Sequence, residues 1–281
     1  MNRSTKPTEK LQKVLARAGL GSRREIEGWI KEGRVKVDNR TAVIGDRVDE
    51  TNELRLDGNR IHIKPSNEIR RRVLIYNKPE GEICSRKDPE DRRTVFDNLP
   101  NLYQGRWLSV GRLDINTSGL LLFTNDGELA NRLMHPSTEI EREYAVRIHG
   151  EVLPIHIQRL RQGVDLDDGK AAFDSVKSAG GEGTNSWYKV SLKEGKNREV
   201  RRMWESQELE VSRLIRIKFG PLELPRTIPR GVWVELEDVK VNELAKLAGL
   251  KPTNIERRTV HKKQIRQKRM VSKRKRNLRR R

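Results

Sequence analysis

The chain has 281 residues and carries 60 Lys and Arg against 40 Asp and Glu, a formal net charge of +20. That length accommodates a small module beside a larger core, and the positive surplus points to a polyanionic partner, nucleic acid above all. One cysteine, Cys84, excludes an internal disulfide framework, and with five scattered histidines it builds no Cys-rich zinc site. No apolar run is long enough to span a bilayer, and residues 1–10 carry no secretory signal. The expectation is therefore a soluble cytoplasmic protein with no metal and no membrane partner. The charge is uneven. Residues 251–281 hold 15 Lys and Arg and one acid, Glu256, so +14 of the +20 sits there and +6 in residues 1–250. With few apolar residues to bury, this basic tail is expected to be disordered until it meets RNA.

In chain order, Leu11, Val14, Leu15 and Ala18 repeat at helical spacing until Gly19–Gly21 stops the pattern. Ser22-Arg23-Arg24-Glu25 reads as a capping box opening a second helix through Ile26, Trp29 and Ile30. Val35 and Val37 alternate as a strand, Asp38-Asn39 supplies a turn, and residues 43–48 continue in strand-like fashion. A polar, basic stretch follows up to Arg72. From Leu74 onward, strands are expected at 74–76, 107–113, 119–124, 144–148, 187–192 and 232–236. Helices are expected near 128–134, 156–161, 199–205 and 241–248. Strands outnumber helices without alternating regularly with them, so the class is α+β rather than doubly wound.

The run KLQKVLARAGLGSRREIEGWIKEGRVKVDN resembles an S4-type RNA-binding domain. The resemblance makes Lys10, Lys13, Arg17, Ser22, Arg23, Arg24 and Lys36 candidate RNA contacts. At the start of the second helix, backbone donors would add to the cations of Arg23 and Arg24. The competing reading is that these charges are the wet face of a small domain.

The most informative block is Gly111-Arg112-Leu113-Asp114-Ile115-Asn116-Thr117-Ser118-Gly119-Leu120-Leu121-Leu122. Apolar segments on both sides of a short polar turn would present Asp114 from a rigid scaffold, as a catalytic side chain requires. Local chemistry alone equally allows an Asx-type turn in which Asp114 bonds nearby backbone N–H groups. GRLDINTSGLLLFTNDG resembles the signature of pseudouridine synthases acting on ribosomal RNA. YNKPEGEICS at 76–85, EREYAV at 141–146 and EGKNREVRRMW at 194–204 resemble three further motifs of that family. Four ordered motifs make a specific pattern, where a lone LDxxTSG would not.

The resemblance implies an S4-type domain at 9–60, a linker at 61–72 and a catalytic domain at 73–250 with a mostly antiparallel mixed sheet and flanking helices. It implies isomerisation of a specific uridine in 23S ribosomal RNA, near the peptidyl-transferase centre, the alternative within the family being another ribosomal RNA site. The partner would be that RNA or a pre-50S particle, with no obligatory protein partner. Asp114 would be the nucleophile, Tyr144 the residue that stacks on the base or moves a proton, and Arg201 the ion-pair partner of Asp114. Without the resemblance Tyr144 reads as a strand core residue and Arg201 as one of a phosphate-facing cluster, with Arg202 the alternative. Arg112, Arg142, Arg198 and Arg202 are further RNA-contact candidates, and Asn116 and Thr117 would shape the turn and the RNA approach. Related branches carry Lys where Arg142 stands. More distant relatives carry His-Gln where this chain has Arg198-Glu199, so Glu199 does not inherit a glutamine's work.

Breaking C1′–N1 and joining C5 to C1′ gains and loses no atoms and needs no redox change. A carboxylate suffices, and no cofactor is expected; the chain has no Gly-rich dinucleotide loop and no Walker motif. The reading from another class is a non-catalytic ribosome-assembly factor. It explains the charge but not the four motifs. An RNA methyltransferase would need a Gly-rich nucleotide loop that is not evident.

Overall fold

Two short amphipathic helices and a run of alternating valines give the first unit its core. The computed structural model describes residues 8–63, 69–182 and 184–253; the expectation of a disordered basic tail falls almost wholly outside them. The chain divides into two compact units. In the first, β1 (Glu9–Lys10) leads into α1 (Leu11–Arg17) and α2 (Arg23–Lys31). Five short strands follow, β2 (Val35–Val37), β3 (Arg40–Thr41), β4 (Arg47–Val48), β5 (Leu54–Leu56) and β6 (Asn59–Ile61). Strands pair in the order β3-β2-β5-β6, and β1 pairs with β4. Leu11, Val14, Leu15, Ile26, Ile30, Val35, Val37 and Leu54 form one core, which short helices need because isolated helices of this length are marginal in water. The expected capping box is present: Glu25 N donates to Ser22 Oγ at 3.1 Å, and Ser22 N donates to Glu25 Oε2 at 2.7 Å.

This unit is not continuous in sequence, because residues 100–108 and 125–127 belong to it. Gly19 explains how the added segment fits. It has φ +92°, and a Cβ there would lie 2.8 Å from the Gly105 carbonyl oxygen, so only glycine allows the approach. Gly105 N donates to Ala18 O at 3.4 Å.

The second unit is built on one mixed sheet of β7 (Val73–Lys78), β8 (Leu108–Val110), β9 (Thr117–Thr124), β10 (Arg142–His149), β13 (Ser175–Glu182), β14 (Asn185–Leu192), β15 (Glu210–Phe219), β16 (Leu222–Glu223) and β17 (Trp233–Glu235). A small hairpin of β11 (Val164–Leu166) and β12 (Gly169–Ala171) stands apart. The helices are α3 (Gly127–Met134), α4 (Pro154–Gln162), α5 (Glu199–Glu205) and α6 (Asp238–Leu247). The main strand order is β13-β14-β10-β15-β9-β7-β17. Every pair along it is antiparallel except β9 with β15. The α+β class and the mostly antiparallel mixed sheet are as the sequence implies.

Five strands of this unit are not anticipated by the sequence, β11, β12, β13, β15 and β16, and the strand expected over 107–113 ends at Val110. From Gly111 the chain leaves the sheet and returns at Thr117. That excursion carries Asp114. All eight residues of β9 are buried, which anchors the turn's far end. A second core, with Val146, Ile148, Val190, Met203, Trp204, Val211 and Leu214, packs α5 against β10, β14 and β15.

Candidate active site

The parallel contact between β9 and β15 organises the site. Leu214 stands opposite Thr117, and Arg216 opposite Gly119. Gly119 has φ +103°, and a Cβ on it would lie 2.3 Å from the Arg216 carbonyl oxygen. The glycine of the Thr-Ser-Gly sequence thus lets two backbones close on each other directly beyond the Asp114 turn.

The turn's carbonyls are held from several directions. Lys78, fully buried at the end of β7, donates from Nζ to Pro79 O at 3.0 Å, Asp114 O at 3.0 Å, Thr117 O at 2.9 Å and Ile115 O at 3.4 Å. Gly81 N donates to Ile115 O at 2.8 Å, and Thr117 N to Asp114 O at 3.1 Å. Cys84 Sγ lies 3.3 Å from Leu113 O and 3.4 Å from Leu113 N. Burial lowers the Lys78 pKa, while the charges of Cys84, Glu82, Asp114 and Glu80 oppose that shift. A buried ammonium satisfied by carbonyl dipoles fixes backbone geometry at high cost to any rearrangement.

Arg201, on α5, is 6% exposed and closes the turn from the other side. Its Nη2 donates to Asn116 O at 2.9 Å and its Nη1 to Val211 O at 2.8 Å. No ion pair within 4 Å joins Arg201 to Asp114. Instead of the expected direct pair, the guanidinium grips the carbonyls of Asn116 and Val211. The two charges still feel each other. Burial lowers the Arg201 pKa and Arg198 adds to this, whereas Asp114 works in the opposite direction.

Asp114 is partly exposed and no hydrogen bond to its carboxylate is found among the described residues, so the Asx-turn reading finds no support in the geometry. It lines a cavity of about 530 Å³ together with Arg112, Thr117, Arg142, Tyr144, Arg198, Glu199 and Arg216, a volume in the range of small-ligand pockets. Tyr144, in β10, lies between Val190 and Arg216 in register and packs partly against the second core. Its structural and cavity-facing readings are therefore compatible.

The cations expected to meet RNA divide into different environments. Arg112 is exposed at the cavity rim, and Arg198, in the left-handed conformation with φ +47°, sits 3.5 Å from Glu205. Arg142 uses Nη1 on the carbonyls of Ile140, Lys193 and Glu194 at 3.2, 2.5 and 2.9 Å, and burial lowers its pKa. Arg202 is outside the cavity lining and makes a bidentate pair with Asp168, both distances 2.8 Å. In the first unit, Lys10, Arg23, Arg24 and Lys36 are exposed. Arg17 is held at 2.6 Å by Glu9, which also lies 3.5 Å from Lys13. Ser22 is spent on its helix cap. Burial lowers the pKa of Arg106, with the charge of Arg23 adding to the effect; the sequence reading passed over Arg106.

Lys78, Glu199 and Arg216 are the other residues that reading missed as site components. Glu199 is 4% exposed, accepts from Lys196 N at 3.0 Å, and is pushed up to about 7 by burial, with Glu194 adding to the rise. Among the described residues no cluster of three or more His, Cys, Asp or Glu could hold a metal ion, and no helix is long and apolar enough to cross a membrane.

Comparison with known proteins agrees with this architecture. Residues 72–206 match the RNA pseudouridylate synthase family and residues 9–54 the S4 domain. The chain is 57% identical to ribosomal large subunit pseudouridine synthase B of Salmonella typhi over 263 residues, covering 93% of this chain and 90% of that one. It is 56% identical to the protein of the same name from Escherichia coli (strain K12), with the same coverage. A crystal structure of a pseudouridylate synthase superposes with a TM-score of 0.57 at 24% identity, covering 84% of this chain and 99% of that chain, which shows the shared fold. The chain belongs to the S4-domain-containing ribosomal RNA pseudouridine synthases, a family of isomerases, and groups there with the ribosomal large subunit pseudouridine synthase B proteins.

Proposed function

We propose that this enzyme converts one uridine of 23S ribosomal RNA, near the peptidyl-transferase centre, to pseudouridine, with Asp114 as nucleophile. The observation that carries the reading is a carboxylate without a hydrogen-bond partner among the described residues, on a turn whose carbonyls are tied down, at a cavity also lined by Tyr144. The target uridine leaves its stack and enters the cavity, which costs a few kcal/mol. The Asp114 carboxylate attacks C1′ or stabilises its cationic character as C1′–N1 breaks. The uracil turns while bound, C5 bonds to C1′ as the Asp114 carboxylate, where it has attacked, is released from C1′, and the C5 proton leaves as N1 gains one. Tyr144 stacks on the base, and its hydroxyl helps to move that proton. Arg201 acts through the Asn116 carbonyl, whose position it fixes two residues beyond Asp114.

Residues 9–60 select the RNA, with Lys10, Arg23, Arg24 and Lys36 as the exposed contacts, and residues 73–250 perform the chemistry. Arg112 and Arg198 at the cavity rim meet the flanking phosphates. The substrate is 23S RNA or a pre-50S particle in the cytoplasm, and no cofactor is used. The test is tritium release from RNA labelled at uridine C5, combined with pseudouridine mapping in cells lacking the gene. Loss of one 23S modification, and release only with active protein, is expected. Release from no RNA, or a modification pattern unchanged by the deletion, would refute the assignment.

A further inference from the structure

Two buried polar side chains at the cavity have hydrogen-bonding capacity that the protein leaves unused. Arg216 is 3% exposed. Its Nε donates to Leu120 O at 2.7 Å, which fixes the plane of the guanidinium, yet Nη2 meets no acceptor among the described residues. Thr117 is 1% exposed, its backbone is fully engaged, and Oγ1 has no partner. Both line the cavity beside Asp114, and they come from the two strands whose parallel pairing Gly119 permits. Buried donors and acceptors are nearly always satisfied in folded proteins, so two orphans on one cavity wall call for a ligand that supplies the complements.

We propose that Arg216 and Thr117 together read the edge of the flipped uracil, Arg216 donating to O4 and Thr117 Oγ1 accepting from N3–H. The inference rests on the isomerase reading above. A phosphate fits these two residues poorly, since they are almost wholly buried while Arg112 and Arg198 stand at the rim. The Phe219 ring, whose centroid is 5.4 Å from the Arg216 guanidinium carbon, gives this wall an apolar backing suited to a neutral base. Cytosine carries an amino group where uracil has O4, so two donors would face each other and the base would be rejected.

The arrangement also suits the reaction's geometry. Turning uracil about its N3–C6 axis exchanges N1 with C5 and O4 with O2, while N3–H stays in place. A donor to one carbonyl and an acceptor for N3–H therefore hold the base both before and after the turn. When C1′–N1 breaks, its electron pair spreads from N1 onto the carbonyl oxygens, so a cationic donor at one of them binds more strongly in the transition state than in the ground state.

The experiment uses full-length wild type, Thr117→Val and Arg216→Lys with hairpins spanning the modified position. Each hairpin carries uridine or cytidine at that position and 2-aminopurine beside it, whose fluorescence reports unstacking. Wild type should unstack the uridine hairpin and leave the cytidine hairpin largely stacked. Both variants should narrow that preference by roughly tenfold, with kcat reduced more than KM is raised. Thr117→Val keeps the backbone bonds and the shape, so it guards against a fold defect in Arg216→Lys. If both variants keep the wild-type preference for uridine, whether or not turnover has fallen, the proposal is overturned. Unstacking needs no turnover, so failure of the isomerase reading would show separately, as wild-type loading without pseudouridine.

Discussion

The Nζ of Lys78 lies 3.0 Å from the carbonyl oxygen of Asp114, although 36 residues separate the two in sequence. The Asp114 side chain is thus positioned through its own backbone by a cation that touches no solvent. Replacing Lys78 with Met keeps the stem but leaves carbonyls of Pro79, Asp114 and Thr117 without that donor. Thermal or urea unfolding should show a loss of about 3–5 kcal/mol, and turnover should fall well beyond the fraction unfolded. Stability and activity matching wild type would mean that the turn is held by its other bonds alone.

Gly119→Ala should cost about 3 kcal/mol or more, because the added Cβ meets the Arg216 carbonyl and the residue is at positive φ. The check is a denaturant titration beside Gly111→Ala. Gly111 also has positive φ, but its Cβ would meet nothing within 4 Å. The difference between the two isolates the close approach of β9 and β15. Equal losses would reduce the effect to backbone strain.

Glu199 predicts a pH dependence. Burial raises its folded pKa to about 7 from the ordinary 4.5, so the folded state holds the proton more tightly than the unfolded chain. The stability this contributes is full below pH 4.5 and is lost as pH rises through about 7. Glu199→Gln retains an acceptor for Lys196 N and removes the buried charge. Its melting temperature should therefore exceed that of wild type at pH 8, with the gap closing toward pH 5. A gap that is the same at both pH values would contradict the titration of Glu199 in this range.

The legible part of the site was the part with local signals. Apolar runs on both sides of Asp114 mark a turn between strands, and the Ser22 to Glu25 spacing marks a helix start, because both depend on neighbours in sequence. Lys78 lies two residues past the strand expected at 74–76, and nothing nearby says that its amine gathers the carbonyls of Asp114 and Thr117. Arg216 lies in a segment where Arg213, Arg216 and Lys218 interrupt Val211, Leu214, Ile215 and Phe219, so neither a strict alternation nor a wet face is evident. Arg201 was legible as a site residue, but which acceptor its guanidinium takes depends on where Asn116 and Val211 come to rest. The placement of 100–108 with the first unit was likewise invisible, since it rests on two glycines, Gly19 and Gly105, distant in sequence.

The two basic regions should separate in function. Truncation after Leu250 removes 15 cations and should weaken RNA binding and flatten its salt dependence, since such a tail acts through sequence-independent counterion release. The same uridine should still be modified. Deleting residues 1–60 should damage site selection or nearly abolish activity on natural RNA. Binding against salt concentration and mapping of the modified position, run side by side, provide the check. A shifted site after tail removal, with an unchanged site after deletion of 1–60, would reverse the assignment.

The most direct measurement is tritium release from C5-labelled 23S RNA by Asp114→Asn, prepared in cells lacking the wild-type gene. Asparagine keeps the shape of the side chain, and the turn's backbone bonds to Lys78, Gly81 and Arg201 do not involve it. What it removes is the nucleophilic charge. The account predicts no detectable release, with folding and RNA affinity within about twofold of wild type. Sustained release by the variant at a substantial fraction of the wild-type rate would contradict the nucleophile assignment and return Asp114 to a role in shaping the turn.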